Sequence, residues 1–245
     1  MCAKPTSLRP KLHRATHILY IYLLLLYSII KINIIEGLKI TNMNIAFIGY
    51  AGCGKNTAYD TIKETYPNEV INISFAEPLK EIASILTGFR KELFDDQEFK
   101  NKKLPPEWII NSSYPEEVYT VRKFMQTLGT EALRDSLCYD TWLNCAKRKR
   151  EENKDKIAIF TDCRFINEYN YLRSINTKFI RITRNVLNNP KEIYSHSSEL
   201  SINGFNVDWV IDNNEDISSF QEKVLNLFEF ISQVDSSIFH KNRIF

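Results

Sequence analysis

The stretch NIAFIGYAGCGKNTAYDTIKETY, residues 44–66, decides the fold. It opens with an apolar run, 44–48, that stops at a glycine, the pattern of a strand buried on both faces. It closes with a helix-compatible segment, 56–66, ended by Pro67. Between them Gly49, Gly52 and Gly54 lead to Lys55 in the spacing G-x-x-x-x-G-K. Strand, glycine-rich turn and helix in this order build a phosphate cradle. Glycines let backbone N–H groups close around a phosphate where a Cβ would block it, and the helix aims its positive end at the same anion. Lys55 supplies a mobile cation to bridge β and γ oxygens. Gly49, Gly52, Cys53, Gly54, Lys55, Asn56 and Thr57 are thus the candidate nucleotide-binding residues. A tight turn with a solvated lysine is the competing reading. It fits poorly, because three of only 7 glycines in the chain fall here. The position after the lysine, usually a Ser or Thr on Mg²⁺, is Asn56, and Thr57 follows it. An amide oxygen suits that metal less well than a hydroxyl, so the ligand at this position stays open.

Working outward, strands and helices alternate. Strands are expected at 70–75, 157–161, 178–183 and 208–211. Helices are expected at 77–87, closed by Gly88, and at 119–137, 141–153 and 218–234. Such alternation predicts an α/β fold with a mostly parallel sheet between helical layers, a three-layer sandwich. Residues 89–118 are charged, contain three prolines and lack periodicity, which reads as a mobile excursion over one edge. The run KRKREENK at 147–154 reads as a solvated helix face.

Composition bounds the function. Hydrophobic residues are 44% and charged residues 25%, ordinary for a globular protein, and 245 residues suffice for a sizeable core. A net charge of +2 gives no global field for nucleic acid. Five cysteines without a CxxC pair argue against a disulfide framework and for a reducing compartment. Residues 1–42 differ from the rest. They carry six Lys or Arg and one Glu, then an apolar run at 18–30. As a helix that run would span about 20 Å, short of the ~30 Å hydrocarbon core. A membrane anchor over 18–35, an uncleaved signal, and upstream sequence outside the enzyme all compete. The last is preferred, because Met43 stands directly before the first strand, which makes 43–245 the expected catalytic domain.

Several further stretches carry a resemblance. GKNT at 54–57, FAEPLKE at 75–81, RKFMQTLGTEALR at 122–134 followed by Trp142, TDCRFINE at 161–168 and HSSE at 196–199 occur in the order found in bacteriophage-type deoxynucleoside monophosphate kinases. Asn56 replaces that family's aspartate. The resemblance runs from Met43 to about residue 212. It implies a P-loop kinase with a mobile lid and acceptor region, transferring the ATP γ-phosphate to a deoxynucleoside monophosphate with Mg²⁺. It also implies the cytoplasm, that of the host for a viral chain, and is compatible with a homodimer. Phosphomevalonate kinases share a similar loop, and a membrane-tethered nucleotide-binding switch is the alternative from another class.

The side chains suit that chemistry, which needs cations around two polyphosphates and exclusion of water. Asp162 ends an apolar strand, where a carboxylate holds Mg²⁺ through water; capping of the next helix is its competing role. Arg164 lies at the carboxyl edge of the sheet and suits a phosphate, against a surface ion pair with Glu168. Lys55, Asp162 and Arg164 are the candidate catalytic residues, with Asn56 and Asp162 for the metal. Lys80, Arg122, Gln126 and Arg134 are candidates for the acceptor, Gln126 reading a base edge. Phe75, Phe89, Phe124 and Trp142 are offered for a stacking slot. Arg184, at a strand end, is the better ATP contact than Arg181. The Asn/Pro-rich stretch after it, with His196, reads as a lid.

Overall fold

The structure, a computed structural model, describes residues 43–109, 119–185 and 201–241. Five strands form it: β1 (Asn44–Ile48), β2 (Val70–Asn72), β3 (Ile157–Phe160), β4 (Lys178–Thr183) and β5 (Trp209–Asp212). Their order is β2-β3-β1-β4-β5, and every neighbouring pair is parallel. All five residues of β1 are buried, as its central place requires. The chain reaches β3 and β4 on opposite sides of β1. A crevice therefore opens beyond the carboxyl end of β1, where the glycine-rich loop lies.

Seven α-helices lie among the described residues: α1 (Lys55–Thr65), α2 (Glu77–Thr87), α3 (Gln97–Lys100), α4 (Val121–Gln126), α5 (Thr141–Glu151), α6 (Ile166–Ser174) and α7 (Ile217–Lys241). Alternation splits β1 between two faces. Ala46 and Ile48 pack with Trp142, Leu143 and Ala146 of α5 and Leu172 of α6. Ile45 and Phe47 point the other way. There α1 buries Ala58 and Ile62, and α7 buries Phe220, Val224, Phe228 and Ile231. The Tyr66 and Phe228 rings, 5.0 Å apart, join α1 to α7. The described residues belong to one compact unit, Thr41–Phe245.

Four expectations need correction. First, β2 ends at Asn72 rather than 75, because the N–H groups of Phe75 and Ala76 turn away to the Asp162 carboxylate. Second, the described part of the segment after α2, residues 89–109, has regular structure of its own. Two tight turns, Lys91–Asp95 and Pro106–Trp108, flank α3. Phe94 and Leu104 join Ala83, Tyr119, Val121 and Phe124 in a second small core. Third, the helix begun by α4 widens into a π-helix over Thr127–Asp135. A Cβ on Gly129 would lie 2.6 Å from Leu79 Cδ2, so α2 packs against bare backbone there. Fourth, Arg150 in the basic run is buried. Its Nε donates to Asn44 Oδ1 at 2.7 Å, fastening α5 to the start of β1. No described helix is long and apolar enough to cross a membrane. The expectations for 1–42, for 110–118 and for 186–199 with His196 lie outside the described residues.

Candidate active site

The loop between β1 and α1 admits no side chain at two of its glycines. A Cβ on Gly49 would stand 2.5 Å from the Ile182 carbonyl oxygen and 2.6 Å from the Cys53 sulfur. On Gly54, which has φ +112° and opens α1, it would meet the Asn213 amide at 2.5 Å. Asn213, just past β5, is a residue the sequence did not flag. Its Nδ2 donates to the Cys53 carbonyl at 2.8 Å, and its N–H to the Thr183 carbonyl at 2.8 Å. An asparagine after a short strand looks like an ordinary turn residue, so only the tertiary pairing reveals that it braces the loop.

Lys55 opens α1, and its ammonium folds back over the loop. It donates to the Gly49 and Tyr50 carbonyls at 2.7 and 2.8 Å. Asn56 follows on an exposed face, with Thr57 half-buried beside it. Asp162 stands one residue beyond the position that follows β3. Its Oδ2 accepts the Ser74 hydroxyl at 2.6 Å and the Ala76 N–H at 2.9 Å, and its Oδ1 the Phe75 N–H at 2.9 Å. The carboxylate thus joins the end of β3 to the entry of α2, not to α6. Oδ1 keeps one acceptor position beyond these bonds.

A group of cations gathers on the elements around α2. Lys80 lies 2.8 Å from Asp95 and 3.3 Å from Glu77. Burial acts against its charge, but Asp95 and Glu77 outweigh it and raise its pKa. Lys91 holds Glu77 from the other side at 2.5 Å. Arg122, at the start of α4, donates to Gln97 Oε1 at 2.9 Å and Asn101 Oδ1 at 3.3 Å, one on each side of Lys100 in the chain. Lys100 is half-buried, and its pKa is lowered. Burial is the main cause; Asp95 opposes it, and the charges of Arg122, Lys80 and Arg164 add to it. Sequence reading missed Lys100 because it lies in the aperiodic segment. Its field brings together three of the residues expected at the site.

Arg134, expected at the acceptor, is engaged within the fold. Its side chain is 3% exposed. One terminal nitrogen lies 2.8 Å from Glu168 Oε1, the other 3.3 Å from Asn167 Oδ1, and the guanidinium stacks 3.7 Å over the Phe165 ring. Glu168 Oε2 accepts the backbone N–H groups of Arg164 and Phe165 at 2.9 and 3.1 Å. Burial raises the Glu168 pKa, and the nearby Asp162 charge adds to this, against the two N–H groups and Arg134.

The aromatic residues expected to stack on a base each pack against other parts of the fold. Phe75 packs on Phe160, with ring centroids 5.9 Å apart. Phe124 meets Trp108 edge to face, and Phe89 meets Phe99. Trp142 is buried and donates its indole N–H to the Gly129 carbonyl at 2.9 Å. Gln126 ends α4, half-buried. Arg184 is exposed just past β4, whereas Arg181 is spent on the Ile202 and Phe205 carbonyls.

Comparison with known proteins adds an independent line. Residues 83–224 match the deoxynucleotide monophosphate kinase family model. The deoxynucleoside-5'-monophosphate kinase of Escherichia phage T5 is 25% identical over 176 residues, covering 52% of this chain and 70% of that one. Among solved structures, dephospho-CoA kinase from Campylobacter jejuni is 16% identical with a TM-score of 0.43, over 79% of this chain and 98% of that one. Shikimate kinase from Aquifex aeolicus is 11% identical with a TM-score of 0.41, over 78% and 99%. The family match covers more than half of the chain and contains α4, the π-helix, β3 and the Asp162–Glu168 segment just described. This chain belongs to the deoxynucleotide monophosphate kinase family.

Proposed function

We propose that this chain transfers the γ-phosphoryl group of ATP to a deoxynucleoside monophosphate, giving ADP and the diphosphate, with 43–245 as the kinase domain. The observation that carries the reading is the pairing of a phosphate loop at the carboxyl end of β1 with a cation group rooted on α2, α3, α4 and the loop after β3. Asp95 and Glu77 already answer Lys80, but Lys100 keeps its charge against burial and the neighbouring cations, a cost that an arriving anion relieves. A phosphate monoester is such an anion.

In the reaction an acceptor phosphate oxygen attacks the γ-phosphorus. One P–O bond forms and the bond to the β,γ-bridging oxygen breaks, with ADP leaving. The acceptor is already anionic, so no general base is needed. Lys55 exchanges its two loop carbonyls for β and γ oxygens, while loop N–H groups hold the β-phosphate. Lys80, Lys100 and Arg122 receive the acceptor phosphate. Arg164, at the edge of the sheet between the two sites, meets charge as it moves. Gln126 reads a base edge, and Arg184 contacts the ATP phosphates.

Among the described residues no three His, Cys, Asp or Glu side chains cluster to hold a metal. Mg²⁺ on a nucleotide needs no such cage, since phosphates and water fill most of its shell. The hard oxygen donors fit: Asp162 retains an acceptor position, and Asn56 and Thr57 open α1. When bound, the ion would neutralise charge on the β and γ oxygens.

A coupled assay of the full chain and of 43–245, with ATP against deoxynucleoside monophosphates, ribonucleoside monophosphates and phosphomevalonate, tests the reading. Turnover is expected with deoxynucleoside monophosphates and in both forms. Preference for phosphomevalonate, or ATP binding without acceptor turnover, overturns it.

A further inference from the structure

We propose that Arg134 and Glu168 form a buried strut through which the acceptor helix sets the position of Arg164, making Arg134 a positioning residue rather than a substrate ligand. The inference rests on the reading of Arg164 as a phosphate contact.

The geometry links the two elements without a gap. Arg134 is on the π-helix that continues α4, the element carrying Arg122 and Gln126. Its guanidinium meets Glu168 at 2.8 Å and covers the Phe165 ring. The second Glu168 oxygen takes the N–H groups of residues 164 and 165, fixing the backbone that presents the Arg164 side chain. Asn167 extends the network, accepting from Arg134 and donating to Asp140 Oδ1 at 2.8 Å. Both charged side chains are almost wholly enclosed, at 3% and 2% exposure.

A pair so placed is a poor device for stability alone, because desolvation offsets most of its attraction. What it supplies is direction. A planar fork, a two-oxygen acceptor and a stacked ring specify one arrangement of helix against loop. Among the described residues Arg134 Nε has no partner despite its burial, so the arrangement forgoes a hydrogen bond to keep this geometry. Arg134 lies within the π-helix itself, a rare geometry frequent at functional sites.

The experiment is a double-mutant cycle on the full chain, Arg134→Lys with and without Arg164→Ala, reading kcat, both KM values and Tm. Lysine keeps the charge and loses the fork and the stack. Alone, Arg134→Lys should lower kcat about tenfold or more, with both KM values within about threefold of the wild type. In the Arg164→Ala background the further loss should be under about twofold, because the strut acts through that side chain. A raised acceptor KM with kcat kept would make Arg134 a ligand and overturn the strut. An equal loss in both backgrounds, or a lower Tm with kcat per folded enzyme unchanged, would also overturn it. If Arg164→Ala alone leaves kcat unchanged, the reading of Arg164 fails instead, and the strut with it. Should Arg134→Lys not fold, Glu168→Gln, which keeps shape and an acceptor oxygen, carries the same cycle.

Discussion

The Lys55 ammonium donates to the Gly49 carbonyl at 2.7 Å, spanning the loop that both residues bound. The cation that is to hold phosphate oxygens thus rests on carbonyl oxygens in their place. Lys55→Ala should leave the fold intact, since these bonds are local to one loop. It should lower kcat at least ~10²-fold, about 3 kcal/mol of transition-state stabilisation. Circular dichroism and steady-state kinetics check both halves. A variant with near-normal kcat would remove the phosphate-cradle assignment.

Asp162 has a measurable structural duty beside any metal contact. Asp162→Ala leaves the Phe75 and Ala76 N–H groups and the Ser74 hydroxyl without their acceptor, at roughly 1–3 kcal/mol for the site. The entry of α2 should loosen, so hydrogen exchange at residues 74–80 should quicken. Ser74→Ala removes one of the three bonds and should cost about 1 kcal/mol with kcat nearly kept. A fall in kcat as large as that of Asp162→Ala would assign the carboxylate's effect to this brace alone.

What the sequence made legible was local. β1, the glycine-rich loop and α1 follow from neighbouring residues, and α2 is bounded by its own period and by Gly88, which adopts φ +74° as a left-handed cap. Hidden features depended on partners far along the chain. Arg134 finds Glu168, 34 positions on, where a phosphate contact seemed natural. Asn213 finds Cys53, 160 positions back. Phe94 and Leu104 enter a core from tight turns and coil, which leave no helical or strand period to read. Phe75, Phe124 and Trp142 show the same limit from the other side, since composition names stacking residues and only packing says what they stack on.

Acid should weaken the α2 region through Glu77. Burial disfavours its charge, yet Lys91 and Lys80 prevail and hold its pKa below the ordinary carboxylate value. With the folded pKa under the unfolded one, the stabilisation is present above the unfolded value and is lost as pH falls through the folded value. Glu77→Gln should therefore lower stability at pH 7 by about 0.5–1 kcal/mol, the worth of a half-exposed pair, read as a lower Tm. The gap to the wild type should close below about pH 4. A gap that stays constant from pH 7 to pH 3 would show that Glu77 contributes by packing, not by charge.

Lys100 should reveal the cation group by opposite effects on stability and binding. Burial, Arg122, Lys80 and Arg164 lower its pKa in the folded chain, so the unfolded chain holds the proton more tightly. At pH 7 the protonated side chain therefore works against folding, and stability due to this group rises with pH toward the ordinary lysine range. Lys100→Met keeps the aliphatic stem and removes the charge. The Tm of the unliganded protein should rise, on the order of 2 °C for a domain of this size. The acceptor KM should rise about 10- to 150-fold, the worth of a lost charge-assisted bond, with the ATP KM nearly unchanged. Inorganic phosphate gives a readout independent of turnover: it should raise the wild-type Tm and raise that of the variant less, because binding to the folded state alone stabilises it. A variant that loses Tm, or keeps the full phosphate response, would show that Lys100 is a surface lysine and that the acceptor phosphate lies elsewhere.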